Sequence, residues 1–196
     1  PLQSRSQLLR QPLKNRQAAS SRHVPLCAYS DASWADDPDD RTSRAGIMLW
    51  SWGGPIEWRS NRQKSQALSS CEAEYMAAST CTQSVVWGTR LFREFGYEDL
   101  GIRDGENVAT EQEMEGHRPV VIYEDNSGCI EWSKNPVDHQ RAKHIDLRYH
   151  YVRAKVRSGE VKLVHCPTDE MMADLLTKYL SAPRFAYLRD KMLAVE

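Results

Sequence analysis

The chain has 196 residues, of which 40% are hydrophobic and 27% are charged, and its formal net charge is −1. The length suffices for one domain with a proper core, and the composition is typical of a soluble globular protein. The net charge excludes a protein that binds nucleic acid through an overall positive charge. Any contact with nucleic acid must therefore depend on local basic patches.

The cysteine usage and hydropathy exclude two further classes. The five cysteines contain no Cys-x-x-Cys pair, and an odd number leaves one over from any full pairing. This favours a reducing, intracellular setting over a disulfide scaffold. No apolar run approaches the roughly 18 residues that a membrane-spanning helix needs.

The first part of the chain reads as a basic arm followed by a meander of strands. Residues 1–23 carry five cations and no acid, and we interpret them as an arm or linker, with a nucleic-acid or partner contact as the alternative. Apolar runs predict strands at 24–31, 45–52 and 55–60. Gly53 and Gly54 mark the hairpin turn between the second and third strands.

The longest helical pattern covers residues 70–95, where small and apolar residues recur at spacings of three, four and seven. Ser69 and Glu72 fit a capping box at its start, and Gly96 fits a stop at its end. The following residues, 98–118, are irregular and acidic, with seven acids against two arginines, which indicates a surface insertion.

The last part of the chain alternates further strands and helices. Strands are predicted at 120–125 and 161–166, and helices at 127–134, 144–157, 169–178 and 182–193. The order β-β-β-α-β-α-α-β-α predicts an α/β domain with a mixed sheet flanked by helices.

Four carboxylates are candidates for a site. Asp31 and Asp125 lie at the ends of predicted strands, Glu72 starts the long helix, and Asp174 lies inside the predicted helix 169–178. Each has a local alternative. The two strand-end aspartates could be turn residues, Glu72 could only close the capping box, and Asp174 could only pair with Lys178.

Taken together, the four acids favour a metal site. Like charges that converge must protonate or find a cation. Hard divalent cations take oxygen ligands, and no His/Cys cluster of zinc spacing is present in the sequence. An all-carboxylate site favours Mg²⁺ or Mn²⁺ and phosphate chemistry. The stripe of small and apolar residues along the predicted helix 70–95 does not distinguish Glu72 from Glu74, because both glutamates flank it.

Five ordered blocks of the sequence resemble the ribonuclease H domain of Ty1/copia-type retrotransposon polyproteins, and they cover most of residues 28–180. They read "YSDASWADDPDDRTSRAG", "GGPIEWRSNRQKSQALSSCEAEYMA", "YEDNSGCIEWSKNP", "HQRAKHIDLRYHYVR" and "TDEMMADLLTKYL". The resemblance implies an RNase H-like fold with a five-stranded mixed sheet, strand order 3-2-1-4-5, flanked by helices. It also implies a two-metal nuclease that cuts the RNA strand of RNA–DNA hybrids.

The resemblance assigns the four acids a role as catalytic metal ligands. Asp31 matches the first-strand aspartate, Asp125 the fourth-strand aspartate and Asp174 the last-helix aspartate. Glu72 matches the first-helix glutamate, so that it is preferred to Glu74 by resemblance and not by periodicity. The implied cofactor is a pair of Mg²⁺ ions, with Mn²⁺ as a substitute. Asp31 would bridge both ions, with Glu72 and Asp125 on one side and Asp174 on the other.

The sequence departs from the family pattern at three places. Ser33 stands where many relatives carry a second acid, and Cys71 stands where many carry threonine. The insertion 98–118 is longer than usual. The predicted organisation is therefore a basic arm at 1–23, an RNase H-like domain at 24–180 containing the insertion, and a C-terminal helix at 181–196.

Two basic stretches are candidates for binding the hybrid. The run 139–157 holds six cations against one acid, and its Arg141 and Lys143 are the favoured phosphate contacts. Arg62 and Lys64, in the "RSNRQK" stretch before the long helix, are the second candidates. A solvated helix face is the alternative for the first run.

The expected partners are an RNA–DNA hybrid and a reverse transcriptase polymerase domain in the parent polyprotein, with no membrane. The expected location is the cytoplasm, in a virus-like particle, or the nucleus. Two other functions are considered: a catalytically idle binding or assembly module of the same descent, and an integrase-like enzyme, which the last-helix aspartate disfavours. For His165 a structural role is favoured, and assistance to proton transfer or product release is the alternative. His144 is a comparable case, and neither histidine is assigned to the site.

Overall fold

The computed structural model describes residues 22–23, 25–101, 118–134 and 143–193. Most of the predicted arm, most of the predicted insertion and Arg141 lie outside these ranges. The side chains of 143–146, and with them those of Lys143 and His144, also lie outside the description.

The main sheet has five strands in the described part of the chain: β2 (Cys27–Ser33), β3 (Arg44–Ser51), β4 (Gly54–Arg62), β6 (Val120–Glu124) and β7 (Val161–His165). Its order is β4-β3-β2-β6-β7. Strands β2, β3 and β4 pair antiparallel in that order, and β2, β6 and β7 pair parallel in that order. The predicted mixed sheet is confirmed, since this order is 3-2-1-4-5 when only the strands of this sheet are counted.

Two short strands form a separate sheet that the sequence did not predict. They are β1 (Arg22–His23) and β5 (Tyr97–Asp99), and they pair parallel. The pairing joins the end of the predicted basic arm to the chain directly after the long helix.

Four α-helices accompany the sheet in the described ranges: α1 (Ser70–Glu94), α2 (Ser127–Lys134), α3 (Lys143–Arg157) and α4 (Ala182–Leu193). The ends of α1 follow its local sequence. The Ser69 hydroxyl accepts a hydrogen bond from the Glu72 backbone N–H at 3.1 Å, as an N-cap does. Gly96 takes a positive φ of 82° just past the last turn, a conformation that favours glycine.

Side-chain alternation along the strands divides the core between the two faces of the sheet. The face toward α1 carries the main apolar cluster, which includes Leu26, Ala28, Ile47, Leu49, Tyr75, Val85, Ile122 and Leu163. The other face carries a smaller cluster of Cys166, Met171 and Ala173, with Tyr29 and Tyr123 packed against it. Consecutive strand residues therefore project to opposite sides, so that Asp31 lies on the same side of β2 as Tyr29.

The predicted helix 169–178 is wrong in type. The segment forms two short 3₁₀ helices, Thr168–Glu170 and Met172–Leu176. Met171, between them, is fully buried and has extended backbone angles. Packing this side chain against the sheet interrupts the α-helical hydrogen-bond ladder, and the sequence pattern of ten residues does not distinguish the two helix types.

No helix in the described part of the chain is both long enough and apolar enough to cross a membrane.

Candidate metal and catalytic site

Three of the four predicted acids meet at one edge of the sheet, namely the edge formed by the carboxyl-terminal ends of β2 and β6. Asp31 lies near the end of β2, Asp125 directly follows β6, and Asp174 lies in the second 3₁₀ helix. Each offers a carboxylate oxygen within 4.8 Å of the others. Asp31 and Asp174 are buried, and Asp125 is half-buried.

A glycine on the neighbouring strand lets Asp174 approach Asp31. Gly46 of β3 lies opposite Asp31 in the antiparallel register. A Cβ atom at Gly46 would lie 2.7 Å from Cγ2 of Thr177 and 2.9 Å from Cβ of Leu176. The 3₁₀ segment therefore packs on bare backbone, which brings its aspartate within reach of β2.

Cations and a hydroxyl of the protein contact the Asp31–Asp174 pair. The Lys178 ammonium lies 2.9 Å from Oδ1 of Asp31 and 2.6 Å from Oδ1 of Asp174. The Thr177 hydroxyl donates to Oδ2 of Asp31, and an Arg184 guanidinium nitrogen lies 2.6 Å from Oδ2 of Asp174. The Asp174–Lys178 contact considered from the sequence is thus present, and it coexists with the convergence of the acids.

The electrostatics of this pair reflect burial opposed by these contacts. Burial raises the pKa of Asp31, while the Lys178 charge and the Thr177 hydrogen bond partly offset that effect. For Lys178, burial would lower the pKa, but the charge of Asp31 and the hydrogen bonds to both aspartates outweigh it. The pKa of Lys178 therefore lies above its ordinary value.

A second group of acids lies toward α1 and shares Asp125 with the first. Glu74, Glu124 and Asp125 offer carboxylate oxygens within 4.8 Å of one another. Glu124 is fully buried and accepts hydrogen bonds from the Ser30 hydroxyl at 2.7 Å and the Asn126 N–H at 3.3 Å. Burial raises the pKa of Glu74 and of Glu124, and the neighbouring carboxylates raise both further.

Glu72, the predicted helix glutamate, lies outside both groups. One of its carboxylate oxygens, Oε2, accepts from the Leu68 N–H at 2.9 Å, and its own N–H donates to Ser69. These contacts are those of a capping acid at a helix start. Its metal-ligand role remains a prediction from resemblance, while the geometry favours Glu74.

The sequence reasoning missed Glu124 and left Glu74 as the unselected alternative. The signal for Glu124 was its place as the last strand residue beside Asp125. The signal for Glu74 was helix geometry, because two residues apart on a helix means about 200° around its axis. Only the direction of α1 relative to the sheet decides which of the two faces the strand ends.

The donor set fits hard divalent cations. Every side chain in the two groups is a carboxylate, which is the ligand type that Mg²⁺ and Mn²⁺ prefer. The Oε2 atom of Glu74 is buried and, like Oε1 of Glu72, has no hydrogen-bond partner among the described residues. A buried carboxylate oxygen without a donor is costly unless it is protonated or meets a cation.

The predicted substrate contacts are only partly within the described structure. Arg62 is half-exposed, and its guanidinium contacts Asp37 at 3.3 Å as well as Asp40. Lys64 is exposed, and within the described ranges it forms no ion pair. Arg141 and the Lys143 side chain lie outside the description, so their roles remain predictions.

Two cations of the predicted basic run serve the fold instead. Arg153 is buried, and its Nε donates to the Trp132 carbonyl at 3.0 Å, which ties α3 to α2. Lys155 pairs with Glu160 at 2.7 Å. These two side chains fit neither a phosphate contact nor the alternative of a solvated helix face, because one is buried and the other is held in an ion pair.

The fold, a five-stranded mixed sheet with flanking helices, is that of ribonuclease H-like proteins. The crystal structure of LC11-RNase H1 in complex with RNA/DNA hybrid is similar to the chain with a TM-score of 0.50 and 13% identity. The alignment covers 78% of this chain and 93% of that one. At this identity the likeness concerns the fold alone.

The chain is homologous to a segment of retrovirus-related Pol polyproteins from Ty1/copia-type transposons. It is 40% identical over 169 residues to that of transposon RE1 from Arabidopsis thaliana, and 34% identical over 165 residues to that of transposon TNT 1-94 from Nicotiana tabacum. These matches cover 86% and 84% of the chain but only 10% and 11% of the polyproteins. No family model matches the chain. The resemblance found in the sequence is confirmed.

Proposed function

We propose that the chain is a metal-dependent endoribonuclease that cleaves the RNA strand of RNA–DNA hybrids, as the ribonuclease H part of a retrotransposon reverse transcriptase. The observation that carries the proposal is the convergence of Asp31, Asp125 and Asp174 with Glu74 and Glu124 at one sheet edge. Similarity to retrovirus-related Pol polyproteins supports an RNA–DNA hybrid as the substrate, because reverse transcription produces such hybrids.

We propose Asp31, Asp125, Asp174 and Glu74 as the residues that hold two divalent ions, with Glu74 in place of Glu72. Bound Mg²⁺ would supply Lewis-acid stabilisation of phosphate charge and an activated water. The protein's part is to fix the carboxylates before the substrate arrives. Ser30 holds Glu124, Thr168 donates to Asp125 at 3.1 Å, and Thr177 holds Asp31.

Choice of the RNA strand would depend on contacts with its 2′-hydroxyl groups near the site. Affinity for the hybrid would depend on cations of the protein that contact the phosphates. Of the predicted phosphate contacts whose side chains are described, Lys64 is favoured for the second role, because its charge is exposed and it forms no ion pair there. Arg62 shares its charge with Asp37 and Asp40, so that its contribution should be smaller.

The test is direct. The purified chain is incubated with Mg²⁺ and a labelled RNA–DNA hybrid, with single-stranded RNA and duplex DNA as controls and EDTA as the metal-free control. We expect cleavage of the RNA strand of the hybrid alone, with 5′-phosphate and 3′-hydroxyl ends. Hybrid binding without cleavage under all metal conditions would instead support the idle binding module.

A further inference from the structure

One lysine occupies the space between the two most buried aspartates of the site. Asp31 is 0% exposed and Asp174 is 1% exposed, whereas the Lys178 side chain is 35% exposed. The Lys178 ammonium contacts one oxygen of each aspartate, at 2.9 Å and 2.6 Å. It therefore stands where a cation held jointly by these carboxylates would have to stand.

The remaining oxygens of the same pair are also engaged. Oδ2 of Asp31 accepts from the Thr177 hydroxyl, and Oδ2 of Asp174 contacts Arg184 at 2.6 Å. A divalent ion that binds to both aspartates must therefore replace a contact that the protein already makes. Lys178 is the contact that holds both carboxylates at once.

Lys178 is easier to displace than Arg184. The Arg184 guanidinium also binds the Asp169 carboxylate at 2.9 Å and the Thr168 carbonyl at 2.6 Å, so several bonds fix its plane. A lysine ammonium is a point charge on a flexible stem, and the partly exposed Lys178 can turn toward solvent.

The other group of acids has no such counter-ion. Glu74, Glu124 and Asp125 form no ion pair within the part of the chain that the structure describes, and Oε2 of Glu74 has no hydrogen-bond partner there. A metal ion at the Asp31–Asp174 pair therefore has to displace the Lys178 ammonium. At the second group it meets no ion-paired cation among the described residues.

We propose that Lys178 is the displaceable counter-ion of the Asp31–Asp174 pair, and that it makes this side of the site the weaker of two divalent-cation sites. In the metal-free protein the ammonium keeps two buried like charges together, as an unpaired buried charge would be strongly unfavourable. A divalent cation binds there only by displacing the lysine. The inference rests on the proposed function only in requiring that the site binds divalent metal, not that it cleaves a hybrid.

The experiment compares the wild-type chain with Lys178→Met by melting in EDTA and by calorimetric titration with Mg²⁺ and with Mn²⁺, without nucleic acid. In EDTA the variant should melt several degrees lower, because Asp31 and Asp174 lose their shared counter-ion. Its weaker metal site should bind about tenfold more tightly than in the wild type, since no ammonium competes. Saturating metal should consequently raise its melting temperature more than that of the wild type.

Two further variants keep the test decisive. Lys155→Met removes another partly buried lysine, whose ammonium pairs with Glu160. Glu160 directly precedes β7 and so lies at the end of that strand away from the acids. It should lower stability without altering metal affinity. Lys178→Gln, which retains a donor but no charge, replaces the methionine variant if that variant fails to fold.

The outcomes separate this inference from the proposed function. Equal metal affinities for the wild type and the folded Lys178 variant would overturn the inference and leave the nuclease proposal standing. Tighter metal binding by the variants, with a wild type that binds metal but never cuts a hybrid, would support the inference and overturn the nuclease proposal. A wild type that binds no metal at these acids would overturn both.

Discussion

Glu72 and Glu74 lie two residues apart near the start of α1, and their carboxylates have different surroundings. Glu72 accepts a hydrogen bond from the Leu68 N–H, at the helix start. Glu74 lies with Glu124 and Asp125 at the sheet edge. Glu72 and Glu74 each have one buried oxygen without a hydrogen-bond partner among the described residues, so it is the neighbouring acids that distinguish Glu74. The two side chains point about 200° apart around the helix axis.

The first prediction tests which of these two glutamates is a metal ligand, by replacing each of them with glutamine. Glu74→Gln should reduce hybrid cleavage in Mg²⁺ by at least about 100-fold, because an anionic ligand is lost. In EDTA it should melt at a higher temperature, since repulsion within the acidic group is relieved. Glu72→Gln keeps a carbonyl oxygen for the helix start and should retain cleavage. The reverse pattern in the cleavage assay would restore Glu72 as the ligand.

The second prediction concerns Asp125, which belongs to both acidic groups. Asp125→Asn should abolish cleavage in Mg²⁺ and leave the metal-free protein as stable or more so. If Asp125 were only a turn acid, stability would fall by about 0.5 to 2 kcal/mol while cleavage persisted. Thr168→Val is the matched control, because it removes the 3.1 Å hydrogen bond to Asp125 without touching the carboxylate.

The third prediction follows from Gly46. Gly46→Ala places a methyl group within 3 Å of Thr177 and Leu176, so the 3₁₀ segment that carries Asp174 must move. We expect a loss of about 1 to 3 kcal/mol in the free energy of unfolding. Metal affinity should also fall, because Asp174 shifts relative to Asp31. Gly54→Ala, where a Cβ meets open space, should change stability by no more than about 0.5 kcal/mol.

The fourth prediction is a pH dependence in EDTA. The pKa values of Asp31, Glu74 and Glu124 are raised in the folded protein, with burial as the leading cause. Above their unfolded values of about 4, the folded state therefore binds more protons than the unfolded state. Stability should fall as the pH rises from about 5 to about 8, by up to about 1.4 kcal/mol per unit for each proton involved.

Urea unfolding at a series of pH values in EDTA measures this slope. The carboxyls whose pKa is lowered, such as Glu160 and Glu170, act in the opposite direction but only below their ordinary range, outside this window. Glu74→Gln should flatten the decline. A stability that is constant or increases between pH 5 and 8, values at which every exposed acid is ionised, would contradict the electrostatic account of the site.

The fifth prediction concerns phosphate contacts. Lys64→Ala should reduce the slope of log affinity for the hybrid against log salt by about 0.9, as expected for one lost phosphate contact. Arg62→Ala should change it less, because Asp37 and Asp40 already neutralise that cation. Lys155→Ala, whose partner is Glu160, should leave the slope unchanged. The pair Arg141 and Lys143 is tested in the same way, and an unchanged slope would show that both face solvent.

The local sequence determined the elements of this protein and two of its acids. Apolar runs with turn residues at their ends gave the five strands of the main sheet, and these strands placed Asp31 and Asp125 at neighbouring tips. Such signals are local, because a strand and the turn that ends it are encoded within a few consecutive residues. Parallel pairing of β2 with β6 then brings the two tips together.

Tertiary packing alone decided the rest. Glu72 and Glu74 share one helix turn, so only the orientation of α1 on the sheet selects the one that joins the site. The 3₁₀ form of the segment around Asp174 follows from the burial of Met171 and from the bare backbone at Gly46, 125 positions earlier in the chain (171 − 46). Contacts between residues so far apart depend on the whole fold, and no local periodicity encodes them.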